Sequence, residues 1–424
     1  MNSVLAALTV FLGANPLATV VTIFIFDIPR DLLSLVSLSF GRLRANTTLP
    51  QDPVNAAGTG NVAVIIPSYN DVEGILVSLK SLREQTQKPA KIIVVSDGCT
   101  DETVPVMNNL WMSGTIDQLI VNDQRMGRAT CGNIALQYVD EPLVLFIDCD
   151  TRLDPHAIAR LCQRMSERPQ AAACSGNIIA GNSNASIWTA MQQLEYMIAI
   201  DFGREFADSF NAIACCSGAL TMYRRDILSD LGGVSPGSGE DLATTLRLRR
   251  AGYEVHFEAT AWAYTQVPET LVGLIKQRLR WDRDAFRIQI LQFEQFHKQS
   301  KDESLGNTLQ RYDYILFTFV PTLLMPFLLP ILTQVPSQEL PAFLVGGYLF
   351  LLSISLLILA PVFMTYRGPV SPFLLLIWPI FPLYQGVVMK AVRLYAYLSE
   401  AIWHSSIHDG YLPRRIRQRL NGRH

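Results

Sequence analysis

"LVLFIDCD", residues 143–150, runs five apolar residues straight into two carboxylates that flank one cysteine. An apolar run this short, cut off by polar residues, reads as a buried strand over 143–147. The same order of residues occurs twice upstream. "VAVII" (62–66) ends in "PSYND" (67–71), and "KIIVVS" (91–96) ends in "DGCTD" (97–101). Between them, residues 72–85 have helical spacing with Ile75, Leu79 and Leu82 on one side, and a second helix follows Thr100. A weak strand (119–121) and a helix (128–138) complete the pattern. Strands alternating with helices at this rhythm predict parallel β-α-β units with helices on both faces. Ligands of such sheets bind beyond the carboxyl ends of the strands, which is where these carboxylates fall. An aspartate at a strand-to-helix turn is often only a helix cap. That accounts well for Asp101 and less well for Asp148 and Asp150, one residue apart. Their repulsion is relieved by a divalent cation, and Mg²⁺ takes one or two carboxylates and fills its shell with water and phosphate.

Downstream, "SGALTMYRRDIL" (217–228) reads as a strand leaving a small-residue turn. "GSGEDLATTLRLRRAG" (237–252) is a glycine-rich loop opening a helix at Glu240-Asp241, whose acids also suit a helix dipole. Leu271, Ile275 and Leu279 share one helix face, continued by Phe286, Ile290 and Phe293, with Gln277, Arg278 and Arg280 on the polar side. Such amphipathic character predicts a helix lying in a membrane interface, as does residues 183–200 with Trp188, Leu194, Tyr196 and Ile200.

The 424 residues are 49% hydrophobic and 17% charged, with a mean hydropathy of +0.22. Charge is absent from residues 1–26, 314–338, 340–366 and 368–389, each long enough to cross a bilayer core. The first stretch has no basic leader and no clear cleavage site, so it reads as a span. Seven cysteines, all between Cys99 and Cys216 and without a C-x-x-C pair, fit a reducing compartment and no zinc site. A net charge of −2 excludes a general nucleic-acid binder. Arg30, Arg42 and Arg44 after the first span, and Arg283 and Arg287 ahead of the second, put the middle domain on the cytoplasmic side. Four spans would then place the basic "RRIRQRL" (414–420) outside, against that rule, unless the proline-broken residues 371–389 are re-entrant.

Taken in order, "PSYND", "SDGCTD", "DCD", "GED" and "QRLRW" resemble the family 2 glycosyltransferases. The likeness is to the membrane-embedded synthases of hyaluronan, chitin oligosaccharide and cellulose, with a D, D, D, Q-x-x-R-W pattern. It covers roughly residues 62–286. "QQLEY" (192–196) and "CCSGALTMYRR" (215–225) are similar to the chitin-oligosaccharide and hyaluronan branches. The resemblance implies an α/β GT-A (Rossmann-like, nucleotide-binding) cytosolic domain flanked by transmembrane and interfacial amphipathic helices. The expected layout is a transmembrane helix (1–26), an interfacial helix and linker (27–60), and the GT-A domain (61–270). The QRLRW interfacial region (271–313), about three transmembrane segments (314–389) and a basic amphipathic tail (390–424) follow. The resemblance implies that Tyr69 and Asp71 bound a uracil pocket and that Asp97 bonds the base or ribose. Arg128 stands where relatives usually carry lysine and touches the nucleotide. Asp148 and Asp150 hold Mg²⁺ or Mn²⁺ on the diphosphate, Asp150 more directly. Gln277, Arg278 and Arg280 hold the donor phosphates, Asp241 is the general base, and Ser217, Gly218, Glu240 and Trp281 meet the acceptor. "SGAL" lacks a proline common in relatives.

The implied activity is inverting transfer from a UDP-sugar, preferably UDP-N-acetylglucosamine, to a growing β-linked glycan at the cytosolic face of a multi-pass cell-membrane protein. With fewer spans than the long synthases, export calls for a homo-oligomer or an export partner. Single addition to a lipid acceptor is the alternative, because ceramide glucosyltransferases carry the same pattern. An inert scaffold would have no use for a metal site and a base together.

Overall fold

The computed structural model describes residues 2–14, 62–292, 294–295, 304–327, 330 and 332–406. The expected interfacial helix and linker at 27–60, Phe293 and the basic 414–420 stretch lie outside them. After α1 (Asn2–Ala14) the described chain resumes at β1 (Val62–Ser68), α2 (Val72–Arg83), β2 (Lys91–Asp97), α3 (Thr103–Met112), β3 (Gln118–Asn122), α4 (Arg128–Leu136) and β4 (Leu143–Ile147). β3, β2, β1 and β4 pair in parallel in that order. β1 shows why the run is apolar throughout. Its Val62, Val64 and Ile66 join one core with Ile75, Leu79 and Leu82 of α2. Ala63 and Ile65 join the opposite core with Ala129, Cys131 and Ala135 of α4. Side chains alternate across a strand, so a sheet covered on both faces needs apolar residues at every position.

Then follow β5 (Arg152–Leu153), α5 (Ala157–Glu167), β6 (Ala171–Ala180), α6 (Ile187–Tyr196), β7 (Leu220–Arg224), α7 (Glu240–Arg250), β8 (Glu254–Thr265) and α8 (Leu271–Phe286). Among the described residues these complete one eight-stranded sheet, ordered β3-β2-β1-β4-β7-β6-β8-β5. β7 is antiparallel to both β4 and β6. An antiparallel strand begins where its neighbour ends. The turn before β7, with Ser217 and Gly218, therefore stands at the sheet edge that carries Asp148 and Asp150.

Beyond the sheet domain lie α9 (Leu340–Thr365) and a helical run, Pro372–Trp403, that ends in α10 (Lys390–Trp403). Among the described residues these two are long and apolar enough to cross a membrane, by length and composition. α1 packs on α9, where a Cβ at Gly346 would stand 2.1 Å from the Ala7 carbonyl oxygen, so the backbones approach through glycine. The expected break at the prolines of residues 371–389 is a 3₁₀ turn at Trp378–Ile380 and a π turn at Tyr384–Met389 within a continuous helical path. α10 lies along α8, with Arg393 Nε donating to Asp282 (3.0 Å) and Arg283 Nε to Ser399 (3.0 Å). The face of α8 also departs from expectation. Leu274 and Arg278 are its buried members ahead of Asp284 and Phe286, while Leu271, Ile275 and Leu279 are only half-buried.

Candidate active site

Asp97 ends β2 with 4% of its surface exposed. Its two carboxylate oxygens accept from the amides of Met126 (2.6 Å) and Gly127 (2.9 Å). Asp97 was expected on the base or ribose; its carboxylate here pins the loop that leads into α4. That loop lays the Arg125 guanidinium over the Tyr69 ring, 4.1 Å from its centroid. Tyr69 is exposed at the rim of the sheet edge.

Asp71 serves two purposes. Oδ1 caps α2 by accepting from Gly74 N (2.8 Å), and Oδ2 accepts from Cys149 Sγ (3.4 Å). Asp101, as expected, accepts from the Thr103 amide at the start of α3 (3.1 Å). Burial first, then the charges of Asp148 and Asp71, push the Asp150 carboxyl up to about 6. No cluster of three or more His, Cys, Asp or Glu shaped for a metal occurs among the described residues. Mg²⁺ needs only one or two protein carboxylates. The residues therefore fit a hard dication: Asp150 is a half-buried acid, made reluctant to ionise by desolvation and by its acidic neighbours.

Arg128 joins the two halves of the site. Its Nε donates to Asp148 (2.7 Å), Nη1 to Glu240 (3.1 Å) and Nη2 to the Gly218 carbonyl. Burial opposes its charge, yet Asp148 and Glu240 outweigh that and hold its pKa above the usual arginine value. Burial raises the Glu240 carboxyl against the lowering charge of Arg128, whose guanidinium holds its Oε1. Ser217 is fixed by its own amide, which donates to Ser175 Oγ (2.9 Å). Asp241 follows Glu240 in the first turn of α7 and lines one cavity with Arg128, Ser217, Gly218 and Glu240. The sheet edge thus brings together Asp71, Asp148, Asp150, Arg128, Ser217, Gly218, Glu240 and Asp241.

"QRLRW" divides differently. Arg278 is 8% exposed, donates to Glu195 Oε2 (2.9 Å) and lies 4.5 Å from the Trp281 centroid. Glu195 also accepts from the Tyr384 hydroxyl (3.1 Å). Arg278, expected as a donor contact on the polar face of α8, is thus a buried tie between α6, α8 and the apolar run. Trp281 remains 40% exposed, and the buried Gln277 Oε1 has no partner within the protein. Burial pushes the Asp284 carboxyl up to about 6, against the opposing charges of Arg287 and, more weakly, Arg280. Glu195 lay within the quoted "QQLEY", whereas nothing in the sequence marked Asp284, which bonds the Ser238 hydroxyl and Arg287 Nη2 (2.8 Å).

A family model described as "Glycosyltransferase like family 2" matches residues 59–283. An N-acetylglucosaminyltransferase of Rhizobium meliloti is 29% identical over 248 residues, 56% of this chain and 58% of that protein. One of Sinorhizobium fredii is 29% identical over 263 residues, 59% of this chain and 63% of the relative. The chain thus spans roughly six-tenths of the length of these curated relatives. Among solved structures, the mannosyltransferase PcManGT from Pyrobaculum calidifontis, in complex with GDP-Man and Mn²⁺, aligns with a TM-score of 0.66 at 17% identity. That alignment covers 91% of this chain and 98% of that one, and shows a shared fold.

Proposed function

The chain belongs to glycosyltransferase family 2, and from that premise we propose that it transfers N-acetylglucosamine from UDP to a growing β-linked glycan, with inversion, at the cytosolic face of a membrane. One observation carries the reading: Arg128 ties Asp148 at the end of β4 to Glu240 at the head of α7 and lines one cavity with Asp241, so one guanidinium joins the carboxylate edge of the sheet to a candidate base. The N-acetylglucosaminyltransferase relatives support the choice of sugar. The Mn²⁺ named with the mannosyltransferase supports a dication here.

In this reading Asp150 and Asp148 would hold Mg²⁺ or Mn²⁺, which as a Lewis acid stabilises charge on the departing diphosphate. Tyr69, Asp71 and the Asp97-pinned loop bound the nucleoside. Arg280, with Gln277 beside it, supplies paired donors to phosphate oxygens. Trp281 offers an apolar face on which the acceptor ring lies in line. Asp241 takes the proton from the acceptor hydroxyl, whose oxygen bonds to the anomeric carbon. The bond from that carbon to the diphosphate breaks, and UDP leaves with the electron pair.

Product sizing tests the proposal directly. Purified protein given UDP-N-acetylglucosamine and Mg²⁺ or Mn²⁺ is expected to make a ladder of β-linked oligomers and to release UDP. A single monoglycosylated lipid would replace the polymer with the lipid-acceptor reading. Transfer from another nucleotide sugar alone would overturn the choice of donor.

A further inference from the structure

Asp284 lies on α8 one turn beyond Arg280, and i,i+4 residues of a helix share a face. It is 5% exposed, and both of its carboxylate oxygens are used. Oδ2 accepts from the Ser238 hydroxyl, and Oδ1 from Arg287 Nη2 at 2.8 Å. The same Arg287 nitrogen donates to the Ser238 carbonyl at 2.7 Å, closing a ring of three residues. Gly239, the next residue in the loop, has φ +71° and lies on the clamp so closely that a Cβ there would stand 2.9 Å from Asp284 Cβ. Glu240 and Asp241 follow immediately as the first turn of α7. Ile288, one turn beyond Asp284, packs with Leu242, Ala243 and Leu246 of α7. The loop before the base is therefore bolted, by polar and apolar contacts together, to the helix that carries Arg280 and Trp281.

We propose that Asp284 is a positioning residue for sugar transfer: through Ser238 and Arg287 it locks the loop ahead of Asp241 onto α8, fixing the base relative to the groups that hold the leaving diphosphate and the acceptor. The inference rests on Asp241 acting as the base. Asp284 touches no reacting atom, so its loss misaligns the base without emptying the donor site. A misplacement of about 1 Å can cost on the order of a hundredfold in rate.

The test measures kcat, donor KM and UDP affinity for Asp284→Ala, Ser238→Ala and the double variant, with thermal melts to establish folding. Each single variant is expected to lose roughly tenfold to a hundredfold in kcat while UDP affinity stays within about twofold. The double variant is expected to fall no further than Asp284→Ala alone, because one clamp is broken either way. Asp284→Asn, whose amide oxygen still accepts from Ser238, is expected to retain an intermediate kcat, and it carries the test if the alanine variant does not fold. Unchanged kcat in folded variants, additive losses, or a fall in UDP affinity that accounts for the fall in rate would each overturn the clamp. Asp241→Asn separates the two levels. If that variant is as active as the parent, the base assignment fails and the clamp's purpose with it. If it is inactive while Asp284→Ala turns over normally, the clamp alone fails.

Discussion

Asp150 carries the sharpest consequence of a single residue's surroundings. Its carboxyl is pushed up to about 6 by burial and by Asp148 and Asp71, against an unfolded value of about 3.9. A raised carboxyl binds its proton more tightly in the folded chain, so without metal the stability declines as pH rises from about 4 through about 6 and stays low above that. A dication displaces the proton, so its stabilising effect should grow across the same window. Thermal melts in EDTA and in Mg²⁺ or Mn²⁺ at pH 5, 6 and 7.5 measure both effects. The metal-induced rise in Tm is expected to increase with pH. Asp150→Asn should stabilise the metal-free protein at pH 7.5 by on the order of 1–2 kcal/mol and lose the response to metal. A parent protein whose melts ignore metal at pH 7.5 would end the assignment. These carboxylates were legible in the sequence because each follows an abrupt end to an apolar run. The pairing of their neighbours was not: Arg128 meets Glu240 across 112 positions, and the antiparallel entry of β7 brings those halves together.

At the scale of elements, α8 shows how one helix divides its residues among neighbours. Arg278 is spent on Glu195, Asp282 on Arg393, Arg283 on Ser399 and Asp284 on Ser238. Arg280 and Arg278, two positions apart, should therefore differ in what their loss does to the donor. Arg280→Ala is expected to weaken UDP by about 1.5–3 kcal/mol, the worth of hydrogen bonds to a charged group. Arg278→Ala strands Glu195, and breaking a buried pair costs about 3–5 kcal/mol of stability. Pairing it with Glu195→Gln should recover part of that loss. Isothermal titration with UDP beside thermal melts reads both. Loss of UDP affinity in a folded Arg278→Ala protein would return that residue to the donor site. Sequence periodicity found the helix and misjudged its buried face, because a guanidinium buried by its ion pair looks the same in sequence as one facing water. It also had no purchase on β6: "AAACSGNIIA" has no alternation, since all ten residues are buried.

For the whole molecule, an expectation for the side that carries residues 414–420 comes from what the apolar run Pro372–Trp403 touches. Tyr366, just before it, accepts from Gln193 Nε2 on α6 (3.1 Å), and Tyr384 within it donates to Glu195 two residues further along α6. Leu374, Ile377, Phe381 and Met389 pack in the same cluster as Ala190, Met191, Leu194 and Leu274. α10 then lies along α8 through Arg393 and Ser399. Both α6 and α8 belong to the sheet domain. Both ends of the run are thus held to the sheet domain, and we propose that residues 371–389 stay on that domain's side and do not cross the membrane. On that proposal the arginines of residues 414–420 are expected on the positive, cytoplasmic side, where four full crossings would put them outside. In a bacterial inner membrane, a fluorescent-protein fusion after His424 should be bright and an alkaline phosphatase fusion there inactive. Phosphatase inserted near Ser337, ahead of α9 and without a basic residue nearby, should be active. If the fusion after His424 instead shows phosphatase activity, the contacts of α10 with α8 do not form in the membrane, and residues 371–389 cross it.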